Sequence, residues 1–296
     1  MRTQRFVGFF AIFFVLMSSL SSVSAKDMVL SMSTTTSTQA SGLLDILLPA
    51  LEKDTGIRVK VIAKGTGAAI RDGIDGNVDV IFVHARSRED DFVNQGYGTK
   101  RYAVMHNDFV ILGPANDPAK VKGADSAATA LKKIAQNKSI FISRGDDSGT
   151  HTKEQFIWKQ TGLNTKDTST MITKNGIKTS ISFTQPIGDW YYSIGQGMGK
   201  VLTYAEEKQS YALADRGTYI KYKFGRKQGF DLEVLHDGDA LLANPYGVIP
   251  VNPQKHPHVK YELAKQFAEW LVSARAQKLI AEYRLEGQQL FYPDAL

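Results

Sequence analysis

Three short segments of the chain gather the residue types that hold a negative guest by donation. Ser33-Thr34-Thr35-Thr36-Ser37-Thr38 sets six hydroxyl residues in a row between a strand-like run and a helical pattern. A helix start leaves its first N–H groups unpaired and carries partial positive charge, so an anion seated there meets backbone donors. Hydroxyls turn toward such a guest without adding charge. One hydroxyl would be an ordinary helix cap; six exceed that need, and Thr34, Thr35 and Thr36 are the candidates. Gly65-Thr66-Gly67 repeats the arrangement, its glycines letting a guest approach the backbone, and makes Thr66 and Gly67 candidates. In Arg144-Gly145-Asp146-Asp147-Ser148-Gly149-Thr150-His151, Arg144 brings a permanent charge and several donors, while Ser148, Gly149 and Thr150 open another helix. The competing reading pairs Arg144 with Asp146 or Asp147 at the helix cap.

Other chemistries find less support. Ser148 and His151, three residues apart, could touch as nucleophile and base in a phospho- or sulfo-ester hydrolase. They lack the nucleophile-elbow pattern and an orienting carboxylate. The glycines at 65 and 67 are not followed by the Lys-Ser or Lys-Thr of a phosphate loop. His84 and His106 border apolar runs and read as satisfied interior histidines. His236, His256 and His258 lie in polar, proline-containing stretches without metal-ligand spacing. Trp190-Tyr191-Tyr192 reads as core, and Glu206-Glu207-Lys208 as a solvated helix face or a docking surface for a membrane partner. No cofactor and no cationic metal is expected.

The elements that must position the three loops alternate. Met28 to Met32 reads as a strand; Leu43, Leu44, Leu47, Leu48 and Leu51 fall on one helical face, ended by Asp54-Thr55-Gly56. Strands over Arg58 to Ala63 and Val78 to Val83 flank a helix from Gly65 to Asp75. A helix over Ser126 to Gln136, a strand over Ser139 to Ser143 and a helix holding Phe156, Ile157 and Trp158 repeat the unit. This predicts an α/β fold of two lobes, with mainly parallel sheets covered by helices on both faces. The chain should cross between lobes near Asp108 to Gly113 and return near Pro245 to Val251, two crossings that make a hinge. Residues 26–109 and 246–296 form the first lobe in this reading, and 110–245 the second. Leu263, Phe267, Trp270 and Leu271 give the last helices an apolar face.

Composition sets the compartment. Arg2 and Arg5 precede the apolar run Phe6 to Leu20, and Val23-Ser24-Ala25 places small residues for cleavage, so residues 1–25 read as a signal peptide removed after Ala25. The run of fifteen is shorter than the roughly 20 residues that span a bilayer. The absence of cysteine excludes a lipid-modified cysteine anchor, disulfides and thiolate metal sites. The net charge of +6, or +4 without the leader, is scattered, and neither a basic stripe nor a DNA-binding motif points to nucleic acid.

These landmarks, together with Asp79-Val80, Val83-His84-Ala85, Gly96-Tyr97-Gly98, Asn107-Asp108-Phe109-Val110 and Gly113-Pro114, resemble the periplasmic tungstate-binding proteins of ABC transporters. The resemblance implies a two-lobed class II periplasmic-binding-protein fold and a tungstate or molybdate oxyanion held between the lobes, Thr35, Thr66, Arg144 and Thr150 foremost. It also implies a periplasmic protein, expected as a monomer, that delivers the anion to an inner-membrane permease. It leaves the segment from Ile181 to Tyr192, Ile187 and Gly188 included, without an assigned role. Fully deprotonated anions need donors only, whereas hydrogen phosphate also needs an acceptor. Asp146 and Asp147 are therefore expected to be helix-cap carboxylates turned away from the guest. Phosphate- and molybdate-binding proteins of the same kind are the nearest alternatives.

Overall fold

The structure is a computed structural model and describes residues 28–174 and 177–295. The leader and its cleavage position lie outside the described residues. The chain starts with β1 (Val29–Thr35), α1 (Thr36–Ala40), α2 (Leu44–Thr55), β2 (Arg58–Lys64), α3 (Thr66–Ile74), β3 (Val80–Val83) and α4 (Arg86–Asn94). A long strand, β4 (Tyr102–Gly113), leads into α5 (Ala127–Gln136), β5 (Phe141–Ser143), α6 (Gly149–Gln160) and the strands β6 (Thr165–Lys174) and β7 (Ile177–Pro186). Then come β8 (Tyr191–Ser193), α7 (Met198–Glu207), β9 (Tyr211–Asp215), α8 (Arg216–Gly225) and β10 (Glu233–His236). The elements β11 (Ala243–Pro250), α9 (Tyr261–Leu271) and α10 (Ala274–Glu282) follow.

Local sequence explains the boundaries. In α2 the buried residues are Leu44, Leu47 and Leu51, the spacing of one helical face, and the helix stops at Gly56, whose φ of 76° suits a residue without a Cβ. Ser126 caps α5 by accepting the Thr129 N–H, and Ser148 caps α6 by accepting that of His151.

The strands form one mixed sheet in the order β2-β1-β3-β11-β4-β9-β5-β8, with β10 also on β4. Pairing is parallel among β2, β1 and β3, and again among β9, β5 and β8. The strands between them, β11 and β4, run antiparallel to their neighbours. Along β4 the partner changes in mid-strand: Tyr102 to Asp108 pair with β11, and Phe109 to Leu112 with β9. One strand therefore serves both halves of the sheet.

One apolar cluster runs along one side of the sheet through both halves, from Met32 and Phe82 through Val110 to Ile142 and Leu202. Separate clusters around Ile81, Phe92 and Ile249, and around Phe141, Trp158 and Leu213, cover the other side of each half. Trp190 and Tyr191 belong to the last cluster, as their density in sequence suggests, whereas Tyr192 is exposed. The strands β6 and β7 pair with each other apart from the main sheet and dock on α6, where Gln155 accepts the Thr184 N–H and His151 meets the Phe183 ring edge-on at 4.7 Å.

Candidate functional site

Parallel strands that share a direction deliver their following loops to one sheet edge, and in open α/β sheets that edge is where ligands sit. Here the loops after β1, β2 and β3 in one half, and after β5, β8 and β9 in the other, line a single cleft of about 1390 Å³. From the first half come Thr35, Thr36, Ser37, Gly65, Thr66, Gly67, His84 and Ala85. The second half contributes Arg144, Asp146, Asp147, Ser148, Gly149, Thr150, Ser193 to Gly197, Asp215 and Thr218. The three predicted loops therefore face one space.

The hydroxyl run divides into distinct tasks. Thr34 is a correction: it is fully buried, does not line the cleft, and its hydroxyl donates to the Phe82 carbonyl at 2.6 Å. The run does not turn into helix until Thr36, so Thr34 is still a strand residue facing the neighbouring strand. Thr35 is the N-cap of α1, its oxygen accepting the Thr38 N–H at 3.1 Å. It also lies 2.6 Å from the Thr38 hydroxyl, 3.0 Å from the Ser37 hydroxyl and 3.0 Å from His84 Nε2. Thr36, exposed at the first helical position, and the opening of α3, where the N-cap Gly65 has no side chain to occupy the amides of Thr66 and Gly67, face the cleft with more donors free.

His84 was expected to be a satisfied interior histidine; it is satisfied, but it stands half-buried in the cleft wall. Its Nε2 also reaches Ser37 Oγ at 3.2 Å, its Nδ1 lies 3.0 Å from Asn244 Oδ1, and its ring stacks on Tyr246 at 4.5 Å. Burial lowers the imidazole pKa, while the Asn244 hydrogen bond and the Asp215 carboxylate push it back up. Asn244 in turn donates to Asn107 Oδ1 at 2.7 Å, across the β4–β11 pairing. Below, the Ala85 N–H donates to Glu89, whose other oxygen pairs with Arg101 at 2.6 Å. Burial raises the Glu89 carboxyl to about 7, against the pull of Arg101. This ion pair fixes the turn that carries His84. By contrast His106 is not interior: it pairs with Asp294 at 2.6 Å and stacks on Tyr292, exposed at the surface.

Arg144 donates to Asp146 from Nε and Nη2, at 3.1 and 2.5 Å. The expectation that Asp146 and Asp147 cap the helix and turn away is corrected: Ser148 is the cap, and both carboxylate residues line the cleft. Asp146 Oδ1 also accepts the Ser148 N–H at 3.3 Å, so Gly149 and Thr150 hold the open amides of α6. Gly145 is required here: its φ of 56° and its closeness to Ser193 Oγ leave no room for a Cβ. The Ser148 hydroxyl faces the backbone N–H of His151, and the ring Nδ1 accepts the Asp147 N–H at 3.2 Å, the bonding of a capped helix end. Burial lowers the His151 imidazole pKa, and the carboxylates of Asp146 and Asp147 oppose that shift. Behind the loop Glu154 is buried, accepting from Tyr191 at 2.7 Å and Trp158 at 3.1 Å, and burial raises its carboxyl to about 7. Ile187 is exposed and lies off the cleft.

Where the halves meet, Lys153 of α6 donates to the carbonyls of Leu241 at 3.1 Å and Ala243 at 2.8 Å, its ammonium 5.7 Å from the centre of the Phe109 ring. Arg216 grips Asp108 through two bonds of 2.5 Å and reaches Asp237 at 2.6 Å. Lys221 of α8 donates to the Ala40 carbonyl at the end of α1, a bond from one half to the other. Sequence reasoning missed His84, Asn107, Asn244, Lys153 and Asp215 as cleft residues. The signal for His84 was present, since it follows a parallel strand just as Thr36 and Gly65 do; Asn244 and Asp215 depend on strand pairings that no local pattern discloses. The combination of neutral hydroxyl and amide donors with the partly compensated Arg144 guanidinium, and with Lys64, Arg86 and Arg88 also in the lining, suits a small oxyanion.

Residues 23–275 match the model of the PBP superfamily domain. The chain therefore belongs to the PBP superfamily and, within it, to the family of the TupA proteins. It is 47% identical over 268 residues to the tungstate-binding protein TupA of Peptoclostridium acidaminophilum, covering 89% of this chain and 85% of the relative. Among solved structures it is similar to the tungstate-binding protein TupA of Desulfovibrio alaskensis G20, with a TM-score of 0.78 and 43% identity over 90% of this chain and 99% of that one. The tungstate ABC transporter structure from Geobacter sulfurreducens gives a TM-score of 0.69 and 48% identity over 86% of this chain and 98% of that one.

Proposed function

We propose that the chain is a non-enzymatic capture protein that binds tungstate, with molybdate as a second ligand, in this cleft and hands it to an ABC transporter permease. One observation carries the reading: strand-end loops from both halves, rich in uncharged donors, line one open space that the Arg144 guanidinium also faces. The relatives named for tungstate supply the choice of anion. Thr35, Thr36, Thr66, Gly67, Arg144, Ser148, Gly149 and Thr150 remain the proposed contact set, with Ser148 acting through its backbone and the cap it holds and Ser37 standing beside Thr35 in the lining.

The cleft is far larger than a five-atom anion, so the described form is the open one in this reading. Residues 26–109 and 246–296 move as one lobe and 110–245 as the other, about the crossing at Asp108 and Phe109 and the return at Ala243. Closure brings Arg144 and the α6 amides onto an anion already held by α1 and α3, and removal of water strengthens each contact. Export with cleavage after Ala25, a periplasmic location and a monomeric state complete the proposal.

Calorimetric competition among tungstate, molybdate, sulfate and phosphate tests it. Tungstate and molybdate are expected to bind more tightly than phosphate, because Asp146 is already engaged by Arg144 and the Ser148 N–H; equal affinity for phosphate would refute that preference. Arg144→Ala is expected to weaken tungstate at least about tenfold, a loss of about 1.4 kcal/mol, and unchanged affinity would remove Arg144 from the contact set.

A further inference from the structure

We infer that His84 is a positioning residue that sets the direction of the Thr35 and Ser37 hydroxyl protons and takes up one proton from solvent when a dianion binds. The inference rests on the oxyanion reading of the cleft. It starts at the far side of the imidazole. Asn244 donates from Nδ2 to Asn107 Oδ1 at 2.7 Å, which turns Asn244 Oδ1 toward His84 Nδ1 at 3.0 Å. An amide oxygen only accepts, so Nδ1 carries the proton, and in the neutral ring Nε2 is left as a bare acceptor.

That bare nitrogen faces two hydroxyls, Thr35 Oγ1 at 3.0 Å and Ser37 Oγ at 3.2 Å. A neutral Nε2 accepts from one of them and draws its proton into the wall, away from the cleft. Thr35 Oγ1 already receives the Thr38 N–H and touches the Thr38 and Ser37 hydroxyls, so the network has few protons to spare. A fully deprotonated anion needs those protons facing outward. Protonation of Nε2 reverses the bond: the ring donates to the hydroxyl oxygen, and the Ser37 proton turns to the anion. The charge gained by the ring also lies one hydroxyl away from the guest. The proton comes from solvent, and no other bond changes.

The surroundings favour this switch being tied to the ligand. Burial lowers the imidazole pKa in the empty cleft, against the Asn244 hydrogen bond and the Asp215 carboxylate. The ring stacks on Tyr246 of β11 and senses Asp215 at the end of β9; it shares the cleft lining with Lys64, Arg86 and Arg88 from its own half and with Arg144, Asp146 and Asp147 from the other, while Glu89 of α4 accepts the neighbouring Ala85 N–H. Arg86 is held by Asp90, Glu89 by Arg101 and Lys64 by Asp72. Asn107, Asn244, Thr35 and Ser37 do not titrate. A bound dianion is the new charge nearest the ring, and it raises the imidazole pKa. The complex then holds more protons than the empty protein between the two values. Affinity is highest below the lowered value of the empty protein and falls as pH rises through the raised value of the complex, by up to about tenfold per pH unit.

The test is calorimetry of the full mature chain with sodium tungstate at pH 6 to 8, in pairs of buffers with different ionisation heats. The expected result is an uptake of up to one proton per anion in the native protein and none in His84→Gln, whose affinity no longer varies with pH. Nitrogen-15 shifts of the native His84 ring, read with and without tungstate, give the same answer without a variant. A neutral ring protonated at Nδ1 should become doubly protonated. Binding heat without buffer dependence, or a ring unchanged by the anion, overturns the role of His84 and leaves the oxyanion reading standing. No binding heat at any pH overturns both.

Discussion

Arg144 enters the cleft with its charge partly answered, because Asp146 holds two of its nitrogens. A lone guanidinium would bind a dianion more strongly and release it less readily; the pair tempers that attraction while the fork keeps its orientation. The hydroxyl run shows the same division of labour between neighbours. Thr34→Val is expected to cost about 1–2 kcal/mol of stability, because the buried Phe82 carbonyl loses its side-chain donor. Urea denaturation would measure that loss, and calorimetry should find tungstate affinity unaltered. Thr36→Val, two residues further on and in the cleft lining, should weaken tungstate and leave stability nearly unchanged. That the six hydroxyls face a ligand was legible from their number; which of them do so was not, because β1 runs on through Thr35 and turns Thr34 toward β3.

Among the elements, the turn from β3 to α4 is held by a charge pair almost wholly out of water: Glu89 is fully buried and the Arg101 side chain is 9% exposed. Removing one partner strands the other, so Arg101→Ala is expected to lose about 3–5 kcal/mol in denaturant unfolding. Behind the arginine loop Glu154 behaves differently, since neutral donors surround it. Its folded pKa, near 7, stands above the ordinary carboxyl value of 4.5, so the unfolded chain ionises first as pH rises. Stability from this group is therefore lost between those two values and levels off above them, by at most about 3 kcal/mol. Glu154→Gln keeps the acceptor for Tyr191 and Trp158, and its stability relative to the native protein should grow from pH 5 to pH 7; a parallel pair of profiles would refute the assignment. The helices α2, α5, α6 and α9 were readable from caps and apolar spacing. The β6–β7 pair was not, because its alternation is weak: Thr168, Thr170, Ile172, Ile181, Phe183 and Gln185 are less exposed than the residues between them, but only Ile172, Ile181 and Phe183 of these are large apolar side chains.

Viewed whole, the molecule joins two ligand-bearing sheet edges through β4 and β11, braced by Lys153 on the Leu241 and Ala243 carbonyls and by Arg216 on Asp108 and Asp237. Tungstate is expected to lower the radius of gyration in solution scattering, and an unchanged profile would mean the cleft does not close on its guest. That a strand runs through Asp108 was legible from an apolar run between two alternating patterns. The antiparallel course of β4 and β11 was not, since strand direction depends on where the chain returns.

The shared strand has a further consequence for dissection of the protein. A break between Asp108 and Phe109 would leave Tyr102 to Asp108 on the shorter fragment, parted from β11, which stays on the longer fragment together with Phe109 to Leu112 and their partner β9. The continuous apolar layer formed by Met32, Val110, Ile142 and Leu202 would be torn in two, exposing oily faces on both pieces. Separately produced halves should aggregate alone and regain solubility when made together, reassembling as a split protein around that layer.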